Sequence, residues 1–380
     1  AAMERDQHFW PATMYIEGLD QYRGWFQSSL LVAVGALGRG APFKECVTHG
    51  WTVDGEGKAM HKSLGNGMDP AEIFDKYGAD LLRLWAGSAD YHVDVRCSDE
   101  IFKQLSQNYL KFRNTCKFCL DNLVGFDADH LVQPDEMLPL DKWAVTRLNT
   151  LIEKVFAAYD NYEFHVVSHM VNDFCVVDLS SFYFDIIKDR LYCGEENSLE
   201  RRSAQSAVWM ILDAMTRLFA PILAFTCDEV WLAMPHRAGD DARNVLLNQM
   251  VQPYAAYALS EEEMGKWARL AALRTAVNGA LEQARADKTI GKSLEAEVDL
   301  TVTAEDAFLT DMDAADLADL LIVSQVRVEV GAEQAVAVRP ANGAKCLRCW
   351  KVLPTVGSDA GHPDLCPRCA AVVKNLPVIE

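Results

Sequence analysis

Two C-x2-C knuckles constrain this chain more tightly than any other feature. Cys346 and Cys349 are followed by sixteen residues and then by Cys366 and Cys369. Each knuckle bends the backbone so that two thiolates face one ion, and two knuckles complete a tetrahedron. The spacing points to structural zinc, Zn2+, held by all four cysteines. Four protein ligands leave no open position, so metal catalysis is not expected there. The segment 344–380 is too short for a core of its own, and metal binding would supply its folding energy. Two disulfides are the competing reading, which a cytosolic chain disfavours. Cys116 and Cys119 repeat the spacing inside an apparent helix with no second pair nearby, and are read as core thiols.

The chain has 380 residues, 50% of them hydrophobic, which is too long for one ordinary core. Two or three domains are expected. A net charge of -19 argues for solubility and against indiscriminate polyanion binding. It leaves room for a nucleic-acid partner met by local patches. Two stretches reverse the sign. Gly265–Ser293 has six basic residues against two acidic, and Lys345–Glu380 has five against three. Lysine and arginine there could meet phosphates, or could simply form a solvated helix face. No segment has the roughly 20 apolar residues of a membrane span. The first residues lack the basic and apolar regions of a signal peptide. Seven of the eleven cysteines are scattered in apolar surroundings, as reduced thiols are. The cytoplasm is the expected compartment.

The organisation changes along the chain. "MYIEG" and "ECVTHGW" read as strands ending at glycine, with "RGWFQSSLLVAVGAL" as a helix between them. This strand–helix–strand unit favours an α/β start. In "DPAEIFDKYGADLLRLWAG", Asp69 caps and Pro70 opens a helix. From about Glu100 the pattern is helical. Ile101, Leu105, Phe112, Cys116 and Cys119 recur at helical spacing, and "DADHLVQPDEMLPLD" is a connector. One stripe runs Trp143, Leu148, Leu151, Val155, Tyr159. A second runs Val166, Met170, Phe174, Val177, Leu179, Tyr183, Ile186. A third segment, 206–234, is expected to bend near Pro221. Such an array is a helical bundle. After a loop at 244–257, Glu261–Asp287 returns to helix. "EAEVDLTVT" and "VSQVRVEV" alternate like strands around a helix at "DAADLADLLI".

The loop "DGEGKAMHKSLGN", residues 54–66, places Lys62 among glycines. A lysine on such a loop can move to a phosphate and stabilise charge that develops during its displacement. The G-x4-G-K-[ST] order of a Walker loop is missing. "KAMHKSLGN" resembles the KMSKS signature of class I aminoacyl-tRNA synthetases. "MYIEGLDQYRGWFQSSL", upstream, resembles a segment of the isoleucyl-tRNA synthetases that usually reads YLEGSDQHRGWF. The likeness continues in order through "VTHGWTVDGEG", "DLLRLWAGSADY", "APILAFTCDEVW" and "LEQARADKTIGKSLEAEV" to the four cysteines. The chain therefore resembles the C-terminal part of a bacterial-type isoleucyl-tRNA synthetase.

The resemblance implies a fold: α/β, the second half of a Rossmann-type catalytic domain, then an α-helical bundle, a small α+β subdomain and a zinc-binding C-terminal element. It implies these boundaries: 1–68 for the catalytic half with its loop, and 69–138 for an α-rich connecting domain. The anticodon-binding bundle would take 139–262, a helix with an α+β junction 263–343, and the zinc element 344–380. It implies a ligase that joins isoleucine and ATP, with Mg2+, into isoleucyl-adenylate and then acylates tRNA(Ile). Lys62 would bind the ATP phosphates and stabilise the transition state, with Met60 and Ser63 beside the nucleotide. Glu17, Gly18, Asp20 and Gln21 would hold the adenylate, and Trp25 would wall the isoleucine pocket. A carboxylate suits an ammonium and ribose hydroxyls, and an indole suits an aliphatic chain. A monomer without membrane association is expected. Ala59, His61 and Tyr22 depart from the family pattern, and roles at those positions are not carried over. A valyl or leucyl synthetase and a noncatalytic tRNA- or RNA-binding zinc protein are the alternatives. No HIGH-type motif and no editing insertion are found, so these 380 residues are expected to carry half of an active site. This chain alone should give no ATP–pyrophosphate exchange above background with isoleucine; turnover would overturn that expectation.

Overall fold

The extended runs around Tyr15 and Cys46 form a parallel pair in the computed structural model, which describes residues 10–376. Strand β1, Ala12–Gly18, pairs with β2, Phe43–His49, from Ala12 opposite Phe43 to Gly18 opposite His49. A parallel pair needs a crossover. Helix α1, Trp25–Leu31, supplies it and passes into a wide π turn at Val32–Ala36. Two short strands, β3 (Thr52–Val53) and β4 (Val95–Arg96), make a second parallel pair. Both strand readings and the helix between them agree with the sequence.

Helices α2 (Pro70–Tyr77) and α3 (Ala79–Ser88) divide what the sequence suggested as one run. Asp69 caps α2 as expected, accepting the Ala71 N–H at 2.9 Å. The break is Gly78, whose φ of 83° and ψ of 160° lie outside helical space. The described residues form two compact units: one of 10–113, 154–172 and 219–227, the other of 114–153, 173–218 and 228–376. In the first, buried Asp80 accepts the Thr226 N–H at 2.7 Å and its hydroxyl at 2.6 Å. Arg83 donates to the Ile222 carbonyl at 2.9 Å. These bonds tie residues 219–227 to α3.

Long helices follow: α4 (Asp99–Asn122), α5 (Pro139–Asp160), α6 (Phe164–Asp173), α7 (Phe184–Cys193), α8 (Leu199–Phe219), α9 (Ala224–Ala233) and α10 (Glu261–Ala286). A π segment, Phe174–Tyr183, joins α6 to α7. The second apolar stripe keeps Phe174, Leu179, Tyr183 and Ile186 buried and departs only at Val177, which the wider turn leaves 59% exposed. Pro221 ends a helix rather than bending one: α8 stops at Phe219 and α9 begins at Ala224. The loop 244–257 contains two short 3-10 turns. Cys116 and Cys119 are buried core thiols as expected, whereas Cys46 on β2 is exposed.

The last part of the second unit is a three-stranded sheet. Strand β5 (Ala296–Val302) runs parallel to β6 (Gln325–Val330) and antiparallel to β7 (Ala335–Pro340), with α11 (Ala314–Leu321) on the crossover. The sequence reading missed β7. A hairpin of β8 (Ala344–Lys345) and β9 (Val352–Leu353), then α12 (Pro367–Lys374), carry the cysteines. Among the described residues no helix is long and apolar enough to cross a membrane.

Asp141 is the buried polar anchor of the bundle. Its carboxylate accepts the Tyr183 hydroxyl at 2.7 Å and the Ser203 hydroxyl at 2.5 Å, with Arg190 at 3.4 Å. Burial pushes its pKa up against the Arg190 charge and these bonds. Asp141→Ala would strand three partners, and breaking a buried pair typically costs about 3–5 kcal/mol. A loss of that size is expected in the denaturant unfolding of the variant, with tertiary signal from the bundle as the probe.

Candidate functional site

Five of the expected site residues gather where β1 ends. In parallel α/β sheets, ligands sit beyond the carboxyl ends of strands. Glu17 is exposed in the last turn of β1, and Gly18 is buried beside it. A side chain at Gly18 would put its first carbon 2.9 Å from the Asp20 carboxylate and 3.6 Å from the Trp51 ring. The tight contact is the one to Asp20, while the indole sits at ordinary packing distance. Gly50, at the end of β2, is equally constrained, since a first carbon there would lie 2.4 Å from the Val93 carbonyl. Gln21 is engaged locally: its Oε1 accepts the Trp25 N–H at 3.0 Å, and its Nε2 donates to Asp20 at 2.9 Å. The first of these bonds gives a partner to the Trp25 backbone N–H at the start of α1. The Trp25 ring is 55% exposed and stacks on Tyr15 at 6.1 Å, so it is not a core aromatic. Trp51, which the sequence reading did not single out, is 54% exposed.

The loop 54–66 has a built base. Asp54 Oδ1 accepts the N–H groups of Glu56 at 3.0 Å and Lys58 at 2.8 Å. Its Oδ2 accepts Asn66 Nδ2 at 2.8 Å. Asn66 also donates to the Ala59 carbonyl at 3.1 Å and accepts the His61 N–H at 2.9 Å. The Asn66 bond, then the Lys58 N–H, hold the Asp54 pKa below its ordinary value. Met60 is half-buried and packs on the cluster of Ile73, Cys97 and Phe102. The loop is thus pinned at 54, 59, 60, 61 and 66, and residues 63–65 are exposed at its tip. Lys62 opens a single 3-10 turn through Leu64; its side chain lies outside the described residues. Ser63 is exposed on that turn. The hydrogen bonds of the strand-end group and of the loop are internal to each group. The Asp54–Asn66 clasp was invisible in the sequence because the two residues are twelve positions apart and spacing does not tell that the loop folds back on itself.

The four C-terminal cysteines converge. All are buried, and their Sγ atoms lie within 4.8 Å of one another. Cys349 and Cys366 are 3.9 Å apart, and no disulfide joins cysteines among the described residues. A tetrahedral zinc with Zn–S bonds of about 2.3 Å places its sulfurs about 3.8 Å apart, so the donor set fits. Burial opposes ionisation of Cys346, yet the N–H groups of Cys349, Cys366 and Arg348 bring it down to about 6. Cys349 and Cys366 are pushed up by burial. A cation that neutralises the thiolates removes this conflict. The cluster also contains Cys193 of α7, with Leu353, Val356 and Leu365 packed against it.

The basic stretch of α10 is less exposed in charge than its composition implied. Lys266 pairs with Glu262, Arg269 with Glu305 and Asp306, and buried Arg274 with Asp185. Arg285, Lys288 and Lys292 follow at the end of the helix. Lys292 lies over the Trp350 ring at 5.6 Å.

Comparison with known proteins agrees with this geometry. Residues 2–98 match the family described as tRNA synthetases class I (I, L, M and V). Residues 141–300 match the anticodon-binding domain of tRNA ligase, and residues 343–372 match a zinc finger found in FPG and IleRS. A LeuRS of Agrobacterium radiobacter, solved with tRNA and LeuAMS, shares the fold at a TM-score of 0.51 and 17% identity. It covers 88% of this chain and 33% of its own. A methionyl-tRNA synthetase of Mycobacterium tuberculosis with methionyl-adenylate also gives 0.51 at 17% identity, over 67% of this chain and 48% of its own. These matches point to one class, the class I aminoacyl-tRNA synthetases, to which the chain is similar in its first hundred residues and in its fold. Within that class it is homologous, over nearly its whole length, to the isoleucine–tRNA ligases. The Moorella thermoacetica protein of that name is 45% identical over 98% of this chain. The Geobacter sulfurreducens protein is 46% identical over 96%. The chain spans about two fifths of the length of these relatives, 41% and 40%.

Asn66→Ala should loosen the loop base without unfolding the unit. Each lost hydrogen bond is worth about 1 kcal/mol net, so amide exchange at His61 should rise about tenfold or more. Exchange mass spectrometry of the peptide spanning 54–66 checks this; an unchanged rate would mean that the clasp holds nothing.

Proposed function

We propose that this chain contributes to isoleucine–tRNA ligase activity. The observation that carries the reading is the similarity of 45% over 98% of the chain to a protein of that name. In this reaction the isoleucine carboxylate attacks the α-phosphorus of ATP and pyrophosphate leaves. The resulting isoleucyl-adenylate then acylates a hydroxyl at the 3′ end of tRNA(Ile), and AMP leaves. ATP enters with Mg2+.

The residues divide by chemistry. Lys62, with Ser63 beside it, meets the phosphates and offsets the charge that grows on departing pyrophosphate. Met60 backs the nucleotide from the pinned side of the loop. Glu17 and Asp20 supply carboxylates for the ammonium and ribose hydroxyls of the adenylate, and Gly18 leaves the backbone open to it. Gln21 holds the backbone N–H of Trp25, whose exposed indole walls the aliphatic side chain. The tip 62–65 closes on ATP and opens for product release. The domain reading follows: 1–68 catalytic half, 69–138 connection, 139–262 anticodon-binding bundle, 263–343 junction, 344–380 zinc element. Cys346, Cys349, Cys366 and Cys369 hold one structural zinc. The protein works as a monomer in the cytoplasm, meeting tRNA through the exposed Arg285, Lys288 and Lys292 after the paired part of α10, despite its net charge.

Binding to two transcripts tests the reading. At fixed salt, the chain should bind isoleucine tRNA about tenfold more tightly than valine tRNA, a difference of about 1.4 kcal/mol. Equal binding by a chain that circular dichroism shows to be folded would reject the isoleucine assignment.

A further inference from the structure

We propose that Arg348 is the residue through which the four-cysteine cluster holds the C-terminal turn of α7. Arg348 stands between Cys346 and Cys349 and faces the helix end. Its Nη1 donates to the Cys193 carbonyl at 2.6 Å, and its Nη2 donates to the Tyr192 carbonyl at 3.4 Å. These carbonyls belong to the last turn of a helix, where the helix has no N–H donor left to offer them. A guanidinium there satisfies both and complements the negative end of the helix dipole. The same Nη1 reaches Cys369 Sγ at 3.8 Å. The connection is doubled by the main chain, because the Cys193 thiol donates to the Arg348 carbonyl at 3.7 Å.

One guanidinium therefore touches a metal-ligating sulfur on one side and two helix carbonyls on the other. When Cys369 is a zinc-bound thiolate, a charge-assisted bond from Arg348 orients it, as outer partners of metal ligands do. If the metal leaves, the knuckle that positions Arg348 loses its shape, and the helix end loses its cap. The effect does not stop at Cys193. At the other end of α7, Asp185 holds buried Arg274 of α10 at 3.1 Å. Arg368, beside Cys369, pairs with Asp189 on the same helix, but through a side chain and not through the terminal carbonyls. The inference rests on the zinc reading of the cluster and is independent of the tRNA assignment.

The test uses the whole chain, zinc-loaded and chelated, as wild type, Arg348→Met, Arg348→Lys and Arg368→Met. Zinc affinity is read by competition with a chromophoric chelator, and amide exchange is read in peptides covering 184–198. In the wild type, chelation should speed exchange at the end of α7. Arg348→Met keeps the stem and removes the fork. It should weaken zinc binding about 10- to 100-fold. It should also speed exchange at the α7 end even with zinc bound, so that chelation adds little. Arg348→Lys keeps the charge and folds if Met does not; it should fall between. Arg348→Met with wild-type zinc affinity, or with weakened affinity and an unchanged helix end, would overturn the proposal. So would Arg368→Met reproducing the whole effect alone. A wild type that binds no zinc would reject the metal reading instead, while the exchange data on Arg348→Met would still report on the helix cap.

Discussion

The second unit is organised around a helix with no solvent face. Fourteen consecutive residues of α8, Ser203–Thr216, are buried. A helix buried on all sides must satisfy its polar groups within the protein, because each unpaired one costs about 1–3 kcal/mol. Its neighbours do most of this, while the Thr216 hydroxyl is left without a partner among the described residues. Ser203 meets Asp141, Ser206 accepts the Val132 N–H, and Gln205 donates to the Asn122 carbonyl. Trp209 donates to the Pro235 carbonyl, and Asp213 and Asp240 share Arg217. The helices and connectors around α8 are placed by these bonds as much as by apolar packing. Polar partners of this kind specify one arrangement where apolar surfaces alone would allow several.

The two candidate centres contrast in how they are held. The cysteine cluster is enclosed and tied to a helix by arginines, which suits a part that must not move. The loop at 54–66 is pinned at its base by a carboxylate and a carboxamide, while its tip is left to solvent. Phosphate chemistry benefits from that division, since a rigid base limits the positions a mobile tip can reach. At the end of β1 the exposed indole of Trp51 lies against buried Gly18, and the exposed indole of Trp25 stacks on Tyr15. An apolar side chain and a polar backbone can both be met there.

Much of this was readable beforehand, for stated reasons. The β1–α1–β2 unit follows from alternation and glycine stops. The cysteine tetrad follows from spacing alone. The stripe through α5 holds because regular helices keep one period. The stripe through 174–186 holds except at Val177, which a π segment of different period turns outward, and no residue in it announces the change. Gly78 and Pro221 split helices at residues the sequence does flag, but whether such a residue bends a helix or ends it depends on what its neighbours can bury. The charge of α10 misled because Asp185, Glu305 and Asp306, its neutralising partners, come from elsewhere in the chain.

By itself, the sequence determined which atoms are available: four thiols at metal spacing, a lysine between glycines, and carboxylates with an indole after a strand. Those follow from local order, because spacing and turn chemistry act over a few residues. The tertiary structure decided which of them are joined. It brought Asn66 back to Asp54, set Arg348 on the end of α7, and laid Trp51 against Gly18. Such contacts depend on directions in space that composition and period do not carry, since a hydrogen bond needs its partner within about 3 Å and in line.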